Sequence, residues 1–297
     1  PWVVIAIENW FILATSVALF WGLSGIFAKY STARLGVARV ALIIAVVEGV
    51  TYTAAYLAWR DTSIDFSLWD AALATASCVI GISGYLCYFE SILEGQVAIV
   101  GTISAAYPVL VVMGAMMLLG ETLTGVQALG VVSIIGGVMV LSYEPNPGHA
   151  HSLSRRSLTF AVLAFFAWGV WSLTSKVAIE AVGAGNMFGF YIVSSLTAPV
   201  IYAWARRIRP VRLGSEDPTR TVWVVGGLAL LLNVFGAFAY TYALEGGDAS
   251  LVVPVTSAYP IVTALLAIAL LKERITALQA GALVVVVSGL VMIGMTV

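Results

Sequence analysis

The stretch AYPVLVVMGAMMLLGETLT at residues 106–124 returns as AYPIVTALLAIALLKERIT at residues 258–276. Each copy joins a Tyr-Pro pair to a long apolar run and places a glutamate, Glu121 or Glu273, a few residues before its closing threonine. A bilayer core about 30 Å thick takes about 20 apolar residues per helix and offers no water to stray backbone groups. Each copy therefore reads as most of a membrane-spanning helix, followed at once by the start of another.

The composition carries this reading to the whole chain. Hydrophobic residues make up 61% of it, charged residues 10%, and the mean hydropathy is +1.02; a soluble domain carries roughly 25% charged residues. The chain reads as an integral membrane protein. Its formal net charge is −1, and nucleic acid is not an expected partner. Cys78 and Cys87 fall in one apolar run and read as small hydrophobes, not as a disulfide or a metal pair. The chain starts at Pro1 without an initiator Met, so a few residues are expected ahead of it. No cleavable signal pattern precedes the first apolar run, which predicts a retained first span.

Ten apolar runs are long enough to span, near residues 10–30, 36–59, 69–89, 96–119, 124–143, 158–180, 187–205, 221–244, 249–270 and 275–296. The longest polar breaks are EPNPGHAHSLSRRS at 144–157 and RRIRPVRLGSEDPTR at 206–220. The first of these divides the runs into two sets of five, and the quoted repeat occupies the fourth and fifth of each set. FWGLSGIFAK at 20–29 likewise aligns with AWGVWSLTSK at 167–176, and GYLCYFESILEG at 84–95 with GAFAYTYALEGG at 236–247. Trp21 falls on Trp168, Lys29 on Lys176, Gly84 on Gly236 and Tyr88 on Tyr240. Five is an odd number, so the second set must enter the membrane from the opposite side. The fold class expected is all-α integral membrane, with ten transmembrane helices as two inverted five-helix repeats.

The two WG…K openings, the two Tyr-Pro stretches and the GETLTGVQ and KERITALQ segments resemble the drug/metabolite transporter superfamily, in particular its ten-helix EamA-type members. The resemblance covers nearly the whole chain and divides it into a first five-helix EamA-like repeat at 1–143, a linker at 144–157 and a second repeat at 158–297. It implies secondary transport of a small metabolite, often export of amino acids or related compounds, without ATP. The chain has no G-x-x-x-x-G-K-[ST] loop. It also implies a home in a prokaryotic cytoplasmic (inner) membrane.

The repeated elements have physical readings of their own. Pro108 and Pro260 fall well inside predicted helices, where a missing N–H frees the carbonyls of Ser104 and Thr256 and predicts kinks. Pro254 would free that of Ser250, and the three prolines are candidate conformational hinges. Thr124-Gly-Val-Gln127 and Thr276-Ala-Leu-Gln279 fit the capping-box pattern and predict helix starts. Glu121 and Glu273, just ahead of them, read as interfacial groups favoured by the helix N-terminus.

Charge at membrane depth points most directly to function, because a central ionisable group is costly and has to pair or face the bundle interior. Glu48 lies in the middle of the second run, in VVEGVTYTAAY. It has two readings, a coupling or amine-recognising carboxylate and a buried structural hydrogen-bond donor. Its repeat counterpart falls at Ser195 and is not acidic. Lys29 and Lys176, late in their spans, are expected to snorkel to the interface. Glu90 is placed to reach a cavity, whereas Glu94 and Glu245 are expected to end in water. Trp21, Tyr85, Tyr88, Tyr107, Trp168, Trp171, Tyr240 and Tyr259 are candidate substrate-binding residues that would suit an amphipathic or ring-bearing compound; interfacial belts use the same residue types. His149 and His151 stand without acidic or cysteine company, so no metal site and no cofactor are expected.

Lys and Arg gather in the loops after the odd-numbered spans, at Arg34, Arg39, Arg155, Arg156, Arg206, Arg207, Arg209, Arg212, Arg220, Lys272 and Arg274. This bias puts both termini outside, whereas the resemblance implies termini inside. Without H-E-x-x-H, G-x-S-x-G or a clustered Asp/His set, an enzyme would lack a nucleophile or metal. A flippase for lipid or lipid-linked sugar is the nearest rival within transport. The expected partners are a small-molecule substrate, the lipid bilayer and protons. A monomer is expected to suffice, although glycine faces such as GVVSIIGG at 130–137 could also serve a dimer.

Overall fold

A computed structural model describes residues 8–94, 102–142, 154–206, 219–271 and 276–297. Asn9–Trp59 is helical except at Gly36, where φ 74° and ψ 158° interrupt the helix. It therefore holds two spans, α1 (9–35) and α2 (37–59). Leu68–Glu94 forms α3. The fourth span, α4 (102–119), contains Tyr107–Gly114 and a π-helical turn at Ala115–Leu119. Gly125–Leu141 is α5, Arg155–Val182 α6, Ala184–Arg206 α7 and Arg220–Gly246 α8. The ninth span, α9 (249–271), is built from Ala249–Thr256 and Tyr259–Leu271, and Ala277–Gly294 forms α10.

The single-residue turn at Gly36 recurs at Gly183, between α6 and α7, with φ 81° and ψ 151°. A side chain is strained at such a positive φ, so glycine at both positions lets two long helices join with almost no loop. Sequence reading expected a loop ahead of residue 36, but α1 runs on to it. On α2, Ile44, Glu48, Tyr52 and Ala55 are buried, while Leu42, Val46 and Val50 stand exposed on the other face. In lipid those outward residues meet acyl chains and need no protein cover.

The inverted repeat shows in which helices touch. Trp21 of α1 packs onto Gly236 of α8, and its counterpart Trp168 of α6 packs onto Gly84 of α3. A Cβ at Gly84 would lie 2.9 Å from the Trp168 ring, so each indole uses the groove that a glycine leaves open. Other helices pair with their own counterparts. Gly130 and Gly137 of α5 meet Gly289 and Ala282 of α10 within one protomer, while Gly136 has nothing within 4 Å.

Pro108 and Pro260 begin new helical segments at Tyr107 and Tyr259, where sequence reading expected kinks inside continuous helices. A proline fits the first turn of a helix, because an N–H there has no intrahelical partner in any case. Three-residue bonds close around each break: Ala106 N to Ile103 O at 3.3 Å and Val109 N to Ala106 O at 3.0 Å, with Ala258 N to Val255 O at 3.2 Å and Ile261 N to Ala258 O at 3.0 Å. Pro254 does lie inside its segment, and the Ser257 hydroxyl donates to its carbonyl at 2.7 Å. Both capping boxes form: the Gln127 and Gln279 amides donate to the Thr124 and Thr276 hydroxyls at 3.3 and 3.2 Å, and each Gln side chain accepts from its cap residue's N–H.

At Gly289 an added Cβ would meet the Gly130 carbonyl at 2.6 Å, and backbone cannot turn aside. Gly289→Ala is expected to destabilise the purified chain by about 1–3 kcal/mol. Gly281→Ala, on the same helix with nothing within 4 Å, should leave the melting midpoint unchanged or raise it. Equal midpoints for the two variants would contradict this account of the α5–α10 contact.

Candidate functional site

Glu48 is 5% exposed and meets its own repeat counterpart: the Ser195 hydroxyl donates to its carboxylate at 2.9 Å. Equivalent residues of a two-fold repeat can touch only near the axis, so this contact marks the pseudo-symmetry axis between α2 and α7. Asn233 of α8 is a polar neighbour, and Tyr52 and Tyr85 lie close enough to interact electrostatically. Ser195 Oγ also lies 2.9 Å from the Tyr191 carbonyl, so one hydroxyl proton serves two acceptors.

Two aromatic groups flank this axis in related arrangements. Trp21 stands 5.4 Å from Tyr240 and 6.5 Å from Tyr259, and Trp168 stands 5.4 Å from Tyr88 and 5.8 Å from Tyr107, measured between ring centroids. Tyr107 also lies beside the Thr256 hydroxyl. Trp21 Nε1 donates to the Asn233 carbonyl at 3.2 Å and Ser24 Oγ to the Ala229 carbonyl at 2.8 Å, tying α1 to α8. Thr263 donates to the Gly22 carbonyl at 3.0 Å, tying α9 to α1. Trp171 breaks the symmetry: it stacks on Tyr240 at 5.1 Å, whereas its counterpart is Ser24. Tyr85, Ser31 and Thr32 border a cavity of about 10 Å³, roughly the space of one water.

Glu90 belongs to a different place. It is buried near the end of α3, accepting from the Tyr202 hydroxyl at 2.7 Å and approached by Arg156 at 3.4 Å. These partners stand at the start of α6 and late in α7.

At the opposite end of α6, polar side chains serve helix termini. Lys176, expected to snorkel, is instead 7% exposed and donates to the carbonyls of Leu244 and Gly247 at 2.8 and 3.0 Å. A cation there complements the C-terminal end of the α8 dipole, and Glu180 pairs with it at 3.0 Å. Glu121 does not serve the helix that follows it. The π-helical turn and Gly120, at φ 74°, carry it across the repeats, where its oxygens accept from the amides of Ala249 and Ser250 at 2.9 and 2.8 Å. Glu245, expected to end in water, is exposed yet accepts from Ala184 N at 2.8 Å, at the start of α7. Asn233, Tyr191 and Tyr202 were not singled out from sequence, although Asn233 interrupts the apolar run ALLLNVFG and could have been. Residues 95–101, His149, His151, Arg207, Arg209, Arg212, Lys272, Glu273 and Arg274, with the side chains of Lys29 and Glu94, lie outside the described residues.

Asp248, between α8 and α9, has its carboxyl raised above the usual range by burial and by the neighbouring Glu121, against the pull of Lys176. A raised carboxyl costs native stability above its folded pKa, and the cost disappears as pH falls below the unfolded value. Asp248→Asn is therefore expected to raise the melting midpoint at pH 7 and to lose that advantage on acidification. An advantage that stays constant with pH would refute it.

Comparison with known proteins places these features in a family. No curated protein matches the chain. A protein of known crystal structure superposes with a TM-score of 0.75 over 97% of each chain at 20% identity, a likeness of fold. The EamA-like transporter family matches residues 8–143 and 155–295. These two matches cover nearly all of both repeats, and the chain belongs to the EamA-like transporter family, membrane transporters of the drug/metabolite kind.

Proposed function

We propose that this transporter moves an amino acid or related amphipathic compound by alternating access around the axis where Glu48 meets Ser195, with export favoured and with protons as the coupling ion. A prokaryotic cytoplasmic membrane is the proposed location. The observation that carries the reading is the contact itself, a carboxyl buried on the pseudo-symmetry axis between the two repeats. Rocking of one repeat against the other exposes such a position first to one side and then to the other.

Hydrogen-bond bookkeeping supports a proton role. A carboxyl that carries its proton donates to Ser195 Oγ, leaving the serine hydroxyl free to donate to the Tyr191 carbonyl, so every group is used. Once the proton leaves, the serine hydroxyl has to serve the carboxylate as well, and its bond to the Tyr191 carbonyl within α7 weakens. Proton release thus shifts Ser195 from its own helix toward Glu48 of α2. Trp21, Tyr240 and Tyr259 on one side, and Trp168, Tyr88 and Tyr107 on the other, are proposed to flank the substrate's apolar part, with Tyr85 and Trp171 beside them. The breaks ahead of Pro108 and Pro260, together with Pro254, are proposed hinges. One protomer holds every residue that the proposal uses.

The test is uptake or counterflow in proteoliposomes over an amino-acid and amine panel, with and without a pH gradient, for the native chain and Glu48→Gln. Glutamine keeps the shape and a hydrogen-bonding end but releases no proton. The variant is expected to fold, to exchange substrate, and to lose at least about tenfold of gradient-driven accumulation. Flux and pH response equal to the native chain's would show that Glu48 is structural.

A further inference from the structure

Among the described residues, the buried side-chain atoms that close no hydrogen bond are Trp171 Nε1, Tyr191 Oη, Tyr240 Oη and Ser250 Oγ. The first three are neighbours between α6, α7 and α8. Trp171 and Tyr240 stack with ring planes 26° apart; the Tyr191 hydroxyl has the Trp171 indole, Ser175 and Thr241 as polar neighbours, and the Tyr240 hydroxyl has Ser172, none of them in hydrogen-bonding geometry. Tyr191 is 6% exposed and Tyr240 0%. An indole N–H can only donate, and a buried hydroxyl without a partner carries its desolvation cost uncompensated. Native interiors leave few such groups, and a missing ligand or water is the usual reason.

The repeat supplies an internal control. The alignment of Trp21 with Trp168 puts Ser24 at the place of Trp171, Ala28 at that of Ser175 and Ile44 at that of Tyr191, and the alignment of Gly84 with Gly236 puts Phe89 at the place of Thr241. In that half Ile44 and Phe89 pack with Val40, Ile82 and Leu86 in one cluster, while Tyr240 keeps a tyrosine counterpart, Tyr88. The same helix arrangement is thus built without an indole at the place of Trp171 and without polar groups at those of Ser175, Tyr191 and Thr241, so the fold does not require them.

We infer that Trp171, Tyr191 and Tyr240 form a subsite for an oxygen hydrogen-bond acceptor of the transported compound, a carbonyl or carboxylate oxygen. The inference rests on the transport reading and adds to it the kind of group recognised. All three groups are neutral donors, and the ammonium of Lys176 further along α6 is engaged by the carbonyls of Leu244 and Gly247. Recognition here works by the direction of donors and not by charge. A compound with an oxygen at this subsite and an amine toward Glu48 would span from one polar group to the other across the aromatic rings.

The experiment follows ligand-dependent melting of the purified full chain, which reads affinity because a ligand of the folded state raises the midpoint. The probes are L-phenylalanine, L-phenylalaninamide and 2-phenylethylamine, matched in ring and amine and differing in the oxygen group. Tyr191→Phe and Tyr240→Phe each delete one unpaired oxygen, and Trp171→Phe removes the indole donor. The two Tyr→Phe variants are expected to melt, without ligand, at or above the native midpoint. In all three the loss of affinity for the two oxygen-bearing probes should exceed that for the oxygen-free amine by about tenfold. The preference between the first two probes separates carboxylate from carbonyl. A lowered ligand-free midpoint with unchanged affinities would mean that the hydroxyls serve only an ordered water, and would overturn the subsite. So would the absence of stabilisation by either oxygen-bearing probe. Donor-dependent binding without flux in proteoliposomes would sink the transport reading and leave the subsite; flux with unaltered substrate preference in the variants would do the reverse.

Discussion

A backbone amide or carbonyl left bare at membrane depth costs several kcal/mol, because lipid supplies no partner. A chain that turns at Gly36 and Gly183 almost without loops, and breaks two of its spans, has many such groups to satisfy. Charged and polar side chains do much of this. Glu121 covers two amides at the start of α9, Lys176 two carbonyls at the end of α8, and Glu245 one amide at the start of α7. Asn186, on α7, accepts from the Asp61 amide and donates to the Asp61 carbonyl beyond the end of α2. Costly charges in this apolar chain thus hold helix ends together, Lys176 and Glu245 within the second repeat and Glu121 between the repeats.

Inside that frame the contacts are made by small residues under large ones. Trp21 over Gly236 and Trp168 over Gly84 are the same contact made twice, and the α5–α10 pair closes through Gly130, Gly137, Ala282 and Gly289. Lipid gives helices no hydrophobic reason to associate, so close van der Waals fit has to supply it. This explains why the scaffold kept its symmetry while the neighbourhood of the axis did not. Glutamate meets serine at the axis itself, and Trp171, Tyr191 and Thr241 correspond to serine, isoleucine and phenylalanine in the other half. An asymmetric compound can be held in one orientation only by an asymmetric set of groups.

Legibility from sequence followed the range of the interaction involved. The capping boxes at Thr124 and Thr276 lie within one helical turn, and both form. The inverted repeat was readable from Trp21/Trp168, Gly84/Gly236 and the Tyr-Pro pairs, since five spans of lipid-compatible length force the inversion. Pro108 and Pro260 were read as kinks inside continuous helices, because hydropathy runs straight through Ala106 and Ala258, whereas the backbone changes its hydrogen bonding there and a new segment begins. Lys176 was misjudged because a lysine near a helix end snorkels unless another helix brings carbonyls to it, and α8 does.

The sequence by itself determined that ten apolar segments cross a bilayer as two inverted sets of five, and that a carboxyl lies at depth in the second. Those conclusions need only segment length, local pattern and the parity of five, all properties of the chain read in order. Tertiary structure decided that Glu48 faces Ser195 on the axis, that Glu121 serves a helix of the other repeat, and that the unpaired donors of Trp171, Tyr191 and Tyr240 gather in one place. Partners in these contacts stand far apart along the chain, and nothing local in the sequence says which faces of two helices will turn toward each other. Packing of side chains between spans settles that.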